Sequence, residues 1–162
     1  MHASRSRAKI ALLPDLGFSG DLPTRLDDGQ AQARTRALMR IARGKARPAS
    51  RAQIGEVARW QGVSLKALHN LEERGITESE RGLNGVRFYS PDQQVRIEAA
   101  LALRELGGSA QDIREFLDLL PQGRLQAIAY LSEFLRRRLT AVEARAQILN
   151  EALALVEADR VI

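Results

Sequence analysis

The sequence predicts a mainly α-helical protein: a winged helix-turn-helix domain with a small β-hairpin wing, followed by a long coiled-coil dimerisation helix. Three observations carry this reading. Residues 54–89 read as helix, tight turn, second helix and then a hairpin with a basic tip. From Leu125 to Val156, apolar side chains recur at alternating spacings of three and four. Aromatics make up only 4% of the chain, while Ala, Leu, Arg and Glu dominate, which favours helix over sheet.

Residues 1–49 read as a basic extension. Residues 1–26 contain Pro14, Gly17, Gly20 and Pro23 without helical period and read as a loose arm. Asp27 and Asp28 are candidate caps for a helix over 29–44, in which Arg34, Arg36, Arg40 and Arg43 surround Ala37, Leu38 and Ile41. Gly44 and Pro48 end it. Residues 1–51 hold 11 basic and 4 acidic side chains, so the net +5 of the chain is concentrated at this end. Such a segment either contacts phosphates or is simply a solvated arm.

Residues 50–120 form the predicted domain. Ser50-x-x-Gln53 reads as a capping box ahead of Ile54, Val57 and Ala58 at helical spacing. Gly62 breaks that helix. Ser64 caps the next, with Leu68 and Leu71 on its buried face, and Gly75 ends it. Asn84-Gly85 predicts a two-residue turn joining strands over 76–83 and 86–89. Ser90-Pro91-x-Gln93 starts a further helix to about Leu106, with proline in its first turn. Gly107-Gly108 separates it from a helix over 110–120 capped by Ser109, and Pro121 and Gly123 follow.

Residues 121–162 are the coiled-coil segment. Leu125, Ile128, Ser132, Leu135, Leu139, Val142, Ala146, Leu149, Leu153 and Val156 keep an unbroken heptad. A helix over 122–158 would be roughly 54 Å long at 1.5 Å per residue, too long to hide this seam alone. A second copy is the expected cover, and folding back on the chain's own domain is the alternative.

Composition excludes several function classes. With no cysteine there are no disulfides, zinc–thiolate sites or iron–sulfur clusters. His2 and His69 are too few for a multi-histidine metal site, and no cofactor is expected. No apolar run approaches the roughly 20 residues that span a bilayer, and Ile10–Leu13 is too short for a signal-peptide core. A cytoplasmic, nucleoid-associated location without membrane contact is the expectation. No glycine-rich phosphate loop or Ser–His–Asp set points to an enzyme.

Ile54-Gly55-Glu56-Val57-Ala58, Gly62-Val63-Ser64, Leu68, Glu72, Gly75-Ile76 and Asn84-Gly85-Val86-Arg87-Phe88-Tyr89-Ser90 together resemble the MerR family of bacterial transcription regulators. Leu103-Arg104-Glu105-Leu106-Gly107, Ile113-Arg114-Glu115-Phe116-Leu117 and the heptad helix extend the resemblance over residues 52–158. The resemblance implies dimers joined by an antiparallel coiled coil. In each subunit one helix lies in a major groove and a wing touches the DNA backbone. It also implies bending and untwisting of promoters whose spacer is overlong.

This sequence departs from the family pattern in places. Where the family's recognition helix commonly reads Arg-Tyr-Tyr-Glu, this chain has His69-Asn70-Leu71-Glu72. That predicts a weaker phosphate grip from the helix. The cysteines of metal- and redox-sensing members are absent, only Ala158–Ile162 follow the heptads, and a basic extension of about 50 residues precedes the domain. Control of binding is therefore expected from the arm or a partner.

The DNA-contact candidates are Arg59, Ser64, Lys66, His69, Asn70, Arg81, Arg87 and Tyr89. Asn pairs bidentately with adenine, and Lys with guanine or phosphate. Each could equally be a solvated helix or wing residue. The dimer candidates are Leu125, Ile128, Leu135, Leu139, Val142, Leu149, Leu153 and Val156. Trp60 is either a cover for the N-terminal helix or a protein contact, and Arg136-Arg137-Arg138 either a solvated face or a DNA or partner contact. The expected partners are double-stranded DNA and a second copy, with RNA polymerase or a regulatory protein as further candidates. The function that follows is a dimeric, sequence-specific regulator that binds a near-palindromic promoter site and distorts it. The alternatives are an architectural or recombination accessory protein, or a regulator controlled by a partner on its arm or coil.

Overall fold

The computed structural model describes residues 28–45 and 48–159. Its elements are α1 (Asp28–Ala42), β1 (Ala52–Gln53), α2 (Ile54–Gln61), α3 (Leu65–Glu73), β2 (Glu80–Arg81), β3 (Arg87–Tyr89), α4 (Pro91–Glu105), α5 (Ala110–Leu119), a 3-10 turn (Leu120–Gln122) and α6 (Arg124–Asp159). The expected arm over 1–26 and the expected cap Asp27 lie outside the described residues, and Asp28 is the first residue of α1.

Helix α4 is the hub. Ala99, Ala100, Leu101, Ala102 and Leu103 are all buried, so this helix has protein on every side. On one side lies α1, which buries Ala37, Leu38, Ile41 and Ala42. On the others lie the helix-turn-helix (Val57, Leu68, Leu71), Ile76, and the faces of α5 (Ile113, Phe116, Leu117) and α6 (Ala127, Leu131, Phe134). Helix α1 is thus part of the core and not of a detachable arm. Arg34 fastens it: Nη2 donates to the Gln61 carbonyl at 2.7 Å, and Nη1 lies 3.9 Å from Glu105. Burial lowers the Arg34 pKa, with the Glu105 charge opposing.

The wing differs from the sequence expectation in three ways. The predicted strand over 76–83 is only Glu80–Arg81, because Ile76 and Thr77 turn inward and are buried. A third strand, β1, adds to the far side of β3, with Ala52 opposite Tyr89 and Gln53 opposite Phe88. Two residues are too short to leave a readable alternation, so periodicity does not reveal β1. The hairpin loop holds three residues, since Arg81 pairs with Arg87 and the Gly82 amide donates to the Val86 carbonyl at 2.8 Å. Gly85 closes that loop at φ +72°, a left-handed conformation that costs other residues roughly 1–2 kcal/mol.

The cap of α2 is shifted, and the box expected at α4 is not closed. Gln53, not Ser50, precedes α2, and its amide donates to Glu56 Oε2 at 2.9 Å. Ser90 caps α4 as expected, its Oγ accepting from the Gln93 amide at 3.3 Å. The Gln93 side chain, however, accepts from Thr77 Oγ1 at 2.8 Å and the Glu78 amide at 2.9 Å, tying the wing approach to α4 instead of closing a box. Ser109 caps α5 as expected, in a reciprocal pair with Asp112.

Helix α6 has 36 residues, roughly 54 Å at 1.5 Å per residue. Its first turns pack on α5 through Ala127, Leu131 and Phe134, with Ile128 and Tyr130 partly buried beside them. The Tyr130 ring lies 6.2 Å from Phe116 and 6.5 Å from Phe134, and its hydroxyl donates to the Asp112 carbonyl at 3.1 Å. The face buried here lies beside the heptad seam, not on it. Of the seam, Leu125, Leu135, Leu139, Val142, Leu149, Leu153 and Val156 are all exposed in the single chain.

Candidate nucleic-acid interface

The helix-turn-helix is built by local rules. Gly62 at φ +62° ends α2, and the Val63 amide donates back to the Ala58 carbonyl at 3.0 Å, which turns the chain within three residues. Ser64 then caps α3, Oγ accepting from the Ala67 amide at 3.1 Å. Ala67, Leu68 and Leu71 fix the inner face of α3 against the core. The outer face carries Lys66, exposed, with His69 and Asn70 half-buried. Arg59 is exposed at the last turn of α2.

The wing is locked to this helix by one carboxylate. Glu72, near the end of α3, accepts from Tyr89 Oη at 3.0 Å through Oε1 and pairs with Arg87 Nε at 3.4 Å through Oε2. Tyr89 is wholly buried, so its hydroxyl serves Glu72 and is not offered to a phosphate. Burial first, then Glu72, pushes the Tyr89 pKa up. Arg87 is half-buried, its charge shared with Glu72. Arg81 stays exposed on β2, its Nη1 donating to the Gly85 carbonyl at 3.4 Å across the wing tip. Arg51 lies 4.7 Å over the Phe88 ring, a cation–π contact that stiffens the root of the wing.

The sequence candidates therefore separate into two sets. Arg59, Lys66, His69, Asn70 and Arg81 lie on α2, α3 and the wing with surface to offer; Ser64 is also exposed while its oxygen caps α3. Tyr89 and, in part, Arg87 hold the recognition helix to the wing. Glu72 was legible only as part of a family-like string, and Arg51 carried no signal at all. Trp60 is 64% exposed at the end of α2. Among the described residues, no group of three or more His, Cys, Asp or Glu could hold a metal ion, and no helix is long and apolar enough to cross a membrane.

Residues 52–120 match the MerR HTH family regulatory protein model. Nodulation protein NolA of Bradyrhizobium sp. (strain NC92) is 38% identical over 105 residues, covering 62% of this chain and 41% of that protein. The chain thus spans about two fifths of the length of the nodulation proteins it matches. The HTH-type transcriptional regulator YfmP of Bacillus subtilis (strain 168) is 29% identical over 108 residues, covering 65% of this chain and 77% of that protein. Among solved structures, HiNmlR, a MerR family regulator lacking the sensor domain and bound to promoter DNA, aligns with a TM-score of 0.49 at 17% identity, over 69% of this chain and 94% of that one. Helix α1 falls outside the matched family segment. Residues 52–120 are thus similar to the helix-turn-helix domain of the MerR regulators.

Proposed function

We propose that this chain acts as a homodimeric, sequence-specific DNA-binding regulator that reads a near-palindromic promoter site and deforms it. The observation that carries the reading is the Glu72 lock. It fixes the outer face of α3, with Lys66, His69 and Asn70, in one orientation relative to the exposed Arg81 of the wing. A helix aimed at base edges beside a wing aimed at phosphates is the division of labour that groove readers use. The exposed heptad of α6 supports pairing of two such heads. Two heads on one two-fold axis read two half-sites, which is why the site is expected to be near-palindromic.

The match of residues 52–120 to a regulatory-protein family supports a role in transcription, with polymerase at a deformed promoter as the partner expected downstream of DNA binding. The test is binding to genomic promoter fragments at moderate salt, followed by transcription in vitro. A preferred set of fragments with a changed transcript level is the expected result. Uniform binding of all fragments would defeat the proposal.

Trp60 favours a second reading of how the regulator is controlled. An indole 64% exposed at the end of α2 suits a protein contact, and Trp is enriched at such sites. A Trp60→Ala variant that binds DNA normally but loses regulation in cell extract would support control by a protein partner. Unchanged regulation would count against it.

A further inference from the structure

The tip of the wing carries an apolar side chain to which DNA binding by α3 gives no role. Leu83 sits in the three-residue loop between β2 and β3. It is wholly exposed, more so than any other large apolar side chain among the described residues. One exposed leucine is ordinary on a protein surface. This one differs in how its loop is held.

The loop is tied at each step. The Gly82 amide donates to the Val86 carbonyl at 2.8 Å, and the Gly85 amide to the Gly82 carbonyl at 2.9 Å. Arg81 Nη1 donates to the Gly85 carbonyl at 3.4 Å. Gly82 lies so close to the Phe88 ring that a Cβ there would come within 2.7 Å of Phe88 Cε2. Arg51 lies 4.7 Å from the centre of that ring. Behind it, Glu72 holds β3 through Arg87 and Tyr89. Leu83 is therefore borne on a stiff mount that continues into α3.

The surroundings select the partner. Leu83, Val86 and Phe88 line one open hollow with Arg51. Arg51, Arg81 and Arg87 surround the loop, with Glu80 the carboxylate on the strand beside it. An apolar point one loop wide inside a collar of cations is a poor match for a protein surface, where stable contacts cover about 800 Å² on each side. It matches the DNA minor groove, about 6 Å wide and walled by phosphates. With α3 in a major groove, a wing fixed beside it reaches the flanking backbone and the adjoining minor groove.

We propose that Leu83 is a wedge: it enters the minor groove beside the α3 half-site and opens one base step, kinking the duplex toward its major groove. This rests on the DNA-binding reading above and names the side chain through which binding deforms the site. A wedge needs a rigid mount, because opening a step costs stacking energy that a loose loop would not transmit. The wedge also gives specificity at a position that no polar side chain reads. Pyrimidine–purine steps unstack most easily, so such a step is favoured beside each half-site.

The test uses the full chain and duplexes recovered by binding selection from a random pool. A fluorophore at each duplex end reports bending, and 2-aminopurine placed in turn at each flanking position reports unstacking. Leu83→Ala removes the wedge, and Leu83→Met is the conservative variant, since methionine also wedges. The parent is expected to brighten 2-aminopurine at one flanking step and to bring the duplex ends together. Leu83→Ala should lose both effects while keeping the parent's slope of affinity against salt, and Leu83→Met should restore them. A mismatch at that step, which loosens it in advance, should tighten binding of the parent roughly tenfold and leave Leu83→Ala unchanged.

A parent that binds its selected duplex without unstacking, or a Leu83→Ala variant that bends and unstacks as the parent does, overturns the wedge and leaves DNA binding in place. A Leu83→Ala variant that bends DNA normally but no longer changes transcript level in vitro makes the tip a protein contact, which also overturns it. A parent that enriches no duplex from the pool removes the DNA-binding reading and the wedge with it.

Discussion

Glu72 accepts the Tyr89 hydroxyl at 3.0 Å while its other oxygen holds Arg87 at 3.4 Å, so one side chain of α3 fixes both the root and the flank of the wing. The two partners are not equivalent. Tyr89 is buried, and losing Glu72 strands its hydroxyl; Glu72 keeps Arg87 if Tyr89 loses the hydroxyl. Glu72→Ala is therefore expected to cost about 1–3 kcal/mol and Tyr89→Phe about 1 kcal/mol. Urea unfolding of the two variants checks the order. Equal or reversed losses would contradict the lock.

The elements that were legible in the sequence are those held by local chemistry. Ser64, Ser90 and Ser109 cap the helices they were expected to cap. The glycines at 44, 62, 75 and 107 end helices, and the long terminal helix follows from its heptad. What was not legible depends on tertiary contact. Strand β1 exists because β3 offers an edge. Tyr89 reads as a wing residue, but its side chain points into the core. The Ala127, Leu131 and Phe134 ridge differs from the seam by one residue, and only the presence of α5 selects it. Helix α1 reads as part of a basic extension because Arg34, Arg36 and Arg40 flank its short apolar set. The hint was in α4, whose five consecutive apolar residues, Ala99–Leu103, call for cover on every side.

The place of α1 in the core has a direct consequence. Leu38 is 2% exposed, so Leu38→Ala should cost about 2–5 kcal/mol. Removing residues 1–48 should likewise destabilise the domain, whereas removing residues 1–27 leaves α1 in place. Whether residues 1–27 affect DNA binding is thus to be measured with the shorter deletion. Thermal denaturation of Leu38→Ala gives the answer, and an unchanged midpoint would mean that α1 is dispensable.

Asp112 joins α5 to α6. Burial pushes its pKa up, but hydrogen bonds from the Ser109 hydroxyl and amide, with Arg137 3.4 Å away, outweigh burial and hold the carboxyl below the usual carboxylate range. A depressed folded pKa adds stability that is complete above the unfolded value and lost as pH falls through the folded one. Asp112→Asn should therefore be less stable than the parent by about 1 kcal/mol at neutral pH, as for other capping losses. The gap should narrow below about pH 4, where the parent carboxyl also takes up its proton. A gap of constant size from pH 7 to pH 3 would assign the loss to shape and not to charge.

The two exposed cations on the proposed DNA face should behave differently from Asn70. Lys66→Ala and Arg81→Ala are each expected to lower the slope of log affinity against log salt by about 1 if they contact phosphate. Asn70→Ala should leave the slope alone and relax discrimination at one base pair, worth about 1–3 kcal/mol. Fluorescence anisotropy over a salt series separates the cases. A Lys66→Ala slope equal to that of the parent would remove Lys66 from the phosphate contacts.

In the proposed function, two copies joined through α6 present two α3 helices to one DNA site. Selection of bound duplexes from a random pool at moderate salt, with the mass of the bound species measured, tests it most directly. Enrichment of a two-fold symmetric sequence occupied by two copies of the chain is the expected result. An unenriched pool, or an asymmetric site bound by a single copy, would contradict it.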